Sequence, residues 1–122
     1  MVDDRVKKVV FDKDDFALMR QGMRHLLDNF AEIEPTFRSA TGFGIERTRD
    51  LYALLEEEPE RPDAPSLRLG WRDMADLEHA LWWAFYDEDF AESVFPAEEA
   101  LDAFHERLDA LNDRHFRSGA IH

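Results

Sequence analysis

The sequence predicts a mostly α fold, four main helices with two short strands, and three observations carry that expectation. Apolar residues recur at helical spacing in four separate stretches. Two brief strand-like runs precede the first and third of those stretches. Ten Phe, three Trp and 44% hydrophobic residues give the 122-residue chain enough apolar mass for one core and one domain, 1–122.

Val6 to Phe11 is β-branched and aromatic, as a short strand requires. Asp12 offers an N-cap, and Asp15 lies in the first turn of the helix that follows. Phe16, Met19, Met23, Leu26, Leu27 and Phe30 form its apolar stripe, and the spacing predicts a stop before Pro35. The stretch "TFRSATGFG" reads as a loop. A second helix places Ile45, Thr48, Leu51, Tyr52 and Leu55 on one face. The segment "EEEPERPDAPS" reads as an extended connector. Leu67 to Trp71 alternates as a half-buried strand does, and a third helix runs from Arg72 to Asp87. Pro96 suits the first position of a fourth helix that ends near Ser118-Gly119, with Arg114, His115 and Arg117 at its basic end.

The two halves align at a fixed offset. Val9 falls on Leu67, Phe11 on Leu69, Asp15 on Asp73, Met19 on Leu77, Met23 on Leu81 and Leu27 on Phe85. This matches two pseudo-symmetric β-α-α units, 5–58 and 66–118, joined by the Pro-rich connector 59–65 and sharing one core, with their strands paired antiparallel. Any two strand–helix stretches share part of such a pattern, so coincidence stays open beside the repeat.

Charge narrows the function classes. With 15 Lys+Arg against 28 Asp+Glu, the net charge is −13. That field repels phosphate backbones and anionic lipid, so direct nucleic-acid binding is not expected and a basic protein partner is. Cysteine is absent, which excludes disulfides, thiolate metal sites and Cys nucleophiles. No apolar run reaches the roughly 18 residues that span a bilayer, and "MVDDRVKKVVF" carries acids where a signal peptide carries bases. The expected location is cytoplasmic, without membrane contact.

The third helix holds the densest aromatic stretch, "HALWWAFY". At about 100° per residue, Met74, Leu77, Leu81 and Phe85 share one core stripe. Trp82 lies at its edge, about 80° away, while Trp83 points to the opposite side with His79 and Tyr86. The first helix repeats this feature with Leu18 and His25 opposite its own stripe, and Gly22 beside them, where a missing side chain permits close approach. Three roles fit the second face: packing on another helix of the same domain, a homodimer surface, or an aromatic pocket for an apolar or planar ligand. The candidate ligand or interface residues are His79, Trp82, Trp83, Tyr86, His25 and Leu18.

No pattern carries catalysis or a cofactor. The five histidines lack the Glu-x-x-His spacing of helical metal sites. "DKDD" at Asp12–Asp15 lacks the glycine and terminal Glu of a calcium loop, and Gly42-Phe43-Gly44 follows no strand. Arg38 and Ser39 could contact an anion, though turn and cap chemistry explains that loop equally well. No Ser/His/Asp arrangement emerges, so no catalytic residue, metal or cofactor is expected.

The fourth helix carries an acidic ridge of Glu98, Asp102, Glu106, Asp109 and Asp113, within about 80° of one another and opposite its apolar stripe. Carboxylates four residues apart rise about 6 Å per step, close to the spacing of backbone phosphates. The expectation is therefore a non-enzymatic, acidic helical interaction protein that forms a homodimer and binds a basic partner, as an inhibitor, antitoxin-like or immunity-like factor does. The alternatives are a small-molecule binding domain with an aromatic pocket and a DNA-mimic regulator.

Overall fold

The computed structural model describes residues 5–57, 59–86 and 96–117. In chain order they form β1 (Lys7–Val10), α1 (Lys13–Asp28), α2 (Phe30–Thr41), α3 (Ile45–Glu56), β2 (Ser66–Leu69), α4 (Trp71–Tyr86) and α5 (Glu98–Asn112). A π-helical turn, Asp113–Arg117, continues α5. The fold is mostly helical; among the described residues it has one antiparallel pair of strands and one helix more than the sequence pattern predicts.

That extra helix is α2, and it corrects the expected loop. The chain does break before Pro35, but at Asn29, whose N–H donates back to the carbonyls of Leu26 and Leu27. Helix resumes at Phe30 and runs straight through Pro35. An interior proline costs about 3 kcal/mol. Phe30 and Phe37, two turns apart, are both buried and meet edge-on at 5.3 Å. Burying two such rings contributes roughly 3–6 kcal/mol, enough to offset the proline. Gly42 ends the helix at φ +85, with its N–H on Arg38 O at 2.8 Å.

α1 starts where its cap dictates: the Asp12 carboxylate accepts from the N–H of Asp14 at 2.8 Å and of Asp15 at 3.4 Å. α5 starts at Glu98, with Pro96 two residues ahead of it rather than at its first position. The expected helix ends at Asp87 and Ser118-Gly119 lie outside the described residues. So does Glu58. The connector is less extended than predicted, since Ala64 N–H folds back on Arg61 O at 3.0 Å.

In the sheet Lys7 faces Leu69, Lys8 faces Arg68, Val9 faces Leu67 and Val10 faces Ser66. Val9, Leu67 and Leu69 turn inward and are buried, whereas Lys8, Val10 and Arg68 are exposed. α1 and α4 cross in the core; α3 packs on α1, and α5 and α2 pack on α4. Gly22 makes the crossing close. A Cβ there would sit 2.7 Å from Phe85 Cζ and 2.9 Å from Leu81 Cδ2. The close approach expected at Gly22 is therefore present, and it belongs to the core contact with α4.

Two sets of ion pairs tie the helices across the core. Arg107 on α5 holds Asp15 on α1, and Arg47 on α3 bridges Asp73 and Asp76 on α4. Arg20 closes the end of α3 by donating to the carbonyls of Leu55 and Glu57. No helix among the described residues is long and apolar enough to cross a membrane.

Candidate functional site

The buried side of α4 comprises Met74, Leu77, Ala80, Leu81, Ala84 and Phe85. Ala80 and Ala84 widen the buried arc toward Trp83 and away from Trp82. The two tryptophans accordingly exchange the roles the spacing predicts. Trp83 is half-buried and meets Phe37 edge-on at 5.4 Å, and Phe43 packs on the far side of Phe37 at 5.5 Å. Of the second face of α4, Trp83 is thus covered from within the chain by α2, the helix the sequence reading missed. Trp82 is the outward residue, 57% exposed.

Trp82 does not stand alone. Its ring lies 4.4 Å from that of Tyr86, one turn on, at a 42° tilt. His105 of α5 joins them, 5.2 Å from Tyr86 and 6.5 Å from Trp82. The Tyr86 hydroxyl donates to Asp102 Oδ1 at 2.5 Å. Desolvation holds the Tyr86 pKa well above its ordinary value, and the Asp102 hydrogen bond and the charges of Asp102 and Glu98 push the same way. Tyr86 therefore remains a neutral donor throughout the working pH range and anchors α4 to the acidic ridge.

All five ridge residues, Glu98, Asp102, Glu106, Asp109 and Asp113, are exposed. Arg107, adjacent in sequence, turns away from them to Asp15. The result is one continuous surface: an exposed indole, a tyrosine fixed to a carboxylate, and a row of acids leading down α5. Such a surface can hold a cation against the Trp82 face while carboxylates neutralise it.

His105 is the residue that sequence reasoning left out. Burial lowers its pKa, partly opposed by Asp102, and its Nε2 is buried without a hydrogen-bond partner among the described residues. Its i+3 spacing from Asp102 and the i+4 spacing of Trp82 and Tyr86 were readable, but only the α4–α5 packing brings the two pairs together.

The remaining predicted residues scatter. His79 is exposed, with no ring contact or hydrogen bond among the described residues. His25 faces Asn29, which donates to the His25 carbonyl at 3.0 Å and lies 3.3 Å from its Nδ1, so it belongs to the α1 terminus. Leu18 lines a groove of about 350 Å³ between α1 and the start of α5, with Ala17, Pro96 and Ala100. None of the three joins the Trp82 surface. Arg38 pairs with Glu34 at 2.8 Å and lies over Gly44. Among the described residues no group of three His, Asp or Glu is placed to hold a metal ion.

No protein-family model matches the chain, and neither the characterised proteins nor the solved structures yield a match. The site's geometry is therefore the basis for a functional reading.

Proposed function

We propose that the chain is a non-enzymatic interaction protein that binds a basic protein partner through the Trp82–Tyr86 pair and the α5 acidic ridge. One observation carries this reading: the hydrogen bond from Tyr86 to Asp102 joins the exposed Trp82, its half-buried neighbour Tyr86 and the acidic row in a single surface. A lone acidic face is ordinary on a chain of net charge −13. An exposed Trp set against it is not, because Trp, Tyr and Arg dominate interface energetics and Arg or Lys stacks on indole. The partner surface this fits carries clustered Arg or Lys with room for one side chain against Trp82.

The experiment is capture and identification of a basic partner by the intact chain, followed by titration of Trp82→Ala and of the triple reversal Glu98→Lys, Asp102→Lys and Asp109→Lys. Association should weaken at least tenfold in each variant and fall as salt rises. Binding that ignores both variants rules out this surface. Sedimentation of the native chain and Trp82→Ala alone separates partner binding from self-association, since a homodimer through the same surface would lose mass in the variant.

We also read the chain as two β-α-α units related by a pseudo-twofold. The supports are Val9 lying directly opposite its sequence counterpart Leu67, and Asp15 and Asp73 each held by an arginine from the other half. In this reading α2 is an insertion in the first unit. Hydrogen exchange should then find the buried amides of α1 and α4 opening together, at the global unfolding free energy.

A further inference from the structure

Lys8 and Arg68 lie directly opposite each other on the outer face of the β1–β2 sheet. Both are exposed, and neither forms an ion pair or hydrogen bond among the described residues. Like charges facing each other across a strand pair oppose that pairing. Along β1 the two residues on either side of Lys8 on the same face are Val6, 58% exposed, and Val10, 48% exposed. The outer face thus reads apolar, basic, apolar at strand period. Among the described residues β2 is the only strand beside β1, so the other edge of β1 has no strand to pair with.

We propose that this edge and face bind an extended acidic segment of a partner protein, added as a third strand beside β1. A carboxylate in the added strand sits next to Lys8 and within reach of Arg68, and apolar residues two positions away on each side cover Val6 and Val10. Main-chain hydrogen bonds supply affinity and the alternating side chains supply register, as in strand addition generally. The segment supplies a carboxylate on the β1 side of the two facing cations and a third strand for a two-stranded ladder that is marginal alone. At 0.15 M salt a Debye length of about 8 Å confines the field, so the segment meets the local cations rather than the net charge of the chain. Glu57 and Glu60 line the adjoining groove with Lys8 and Arg68, forming a far wall that rejects a second acid on that side. This surface is separate from the Trp82 surface, and the inference does not rest on it.

The test is a fluorescence-anisotropy titration of the full chain with a labelled peptide centred on Val-Thr-Glu-Thr-Val, at 0.15 M salt. Saturable binding is expected, lost when Lys replaces the peptide's Glu or when its backbone amides are N-methylated. Lys8→Glu and Arg68→Glu should each weaken binding at least tenfold. Each also turns a like-charge pair into an opposite one, so the melting temperature should hold or rise, which separates lost binding from lost folding. Arg49→Glu, a reversal on an exposed part of α3, should leave binding unchanged. No saturation at millimolar peptide overturns the proposal, as does equal weakening by Arg49→Glu. Lys8-dependent binding of a single-stranded oligonucleotide as tight as that of the peptide overturns the choice of an acidic polypeptide.

Discussion

Arg107 grips Asp15 with two parallel hydrogen bonds of 2.7 Å, Nε to one carboxylate oxygen and Nη2 to the other. The Asp15 side chain is only 9% exposed, so this guanidinium and the helix start where it sits take the place of bulk water around it. Across the core, Arg47 plays the same part for Asp73 and Asp76 at 2.8 and 2.9 Å. Each pair joins helices that are distant in sequence, and each acid stands in the first turn or two of its helix.

Arg107→Ala should therefore destabilise the fold by about 1–3 kcal/mol, because a nearly buried carboxylate loses its partner. Asp15→Asn in the same background should restore part of the loss. Chemical denaturation of the two single variants and the double checks this. Additive effects would show that the two groups are not coupled.

Gly22→Ala should also destabilise, by about 1–3 kcal/mol, although alanine favours helix by nearly 1 kcal/mol. The added methyl meets the Phe85 ring and Leu81, both buried where α1 and α4 cross. Phe85→Leu in the Gly22→Ala background should recover stability. Thermal melts of the single and double variants decide it.

The two tryptophans should respond in opposite ways. Trp83→Ala removes a ring packed on Phe37 and should cost roughly 2–4 kcal/mol. Trp82→Ala should leave stability within about 0.5 kcal/mol, since the residue is mostly exposed and its ring neighbours, Tyr86 and His105, keep their other contacts. A large loss in Trp82→Ala would mean that its side chain supports the fold.

Stability should fall as pH drops from 7 to 5, before most carboxylates titrate. Burial lowers the pKa of His105 below its ordinary value of about 6.5, and burial plus Arg114 and Lys7 lowers that of His115. The unfolded chain then takes up protons at a higher pH than the folded one does. Stability contributed by the neutral rings is complete above about 6.5 and is lost as pH falls through the folded values. His105→Phe should flatten this slope in denaturation midpoints measured across the window. An unchanged slope would assign the dependence to other groups.

Much of the helical framework was readable because its determinants are local. Asp12 has the cap chemistry, the stripe from Phe16 to Leu26 has the period, and the alternation around Leu67 marks β2. Helix α2 was not readable as such, because Pro35 is a strong local stop signal and the rings that override it, Phe37 against Phe30 and Trp83, lie on different helices. Of the three roles open to the face that carries Trp83, packing within the domain is the one Trp83 takes, but its partner Phe37 lies on a helix that local signals hide.

The candidate surface divides in the same way. Sequence alone determined the acidic ridge of α5, the charge balance and the aromatic content of α4, since each follows from residue type and a helical period. Tertiary structure alone decided which tryptophan meets solvent, which tyrosine joins the ridge, and that Lys8 faces Arg68. A helical wheel gives directions around one axis, and a strand pattern gives one face. What occupies those directions depends on contacts between residues far apart in the chain, such as Phe37 with Trp83 and Tyr86 with Asp102, and only packing creates them.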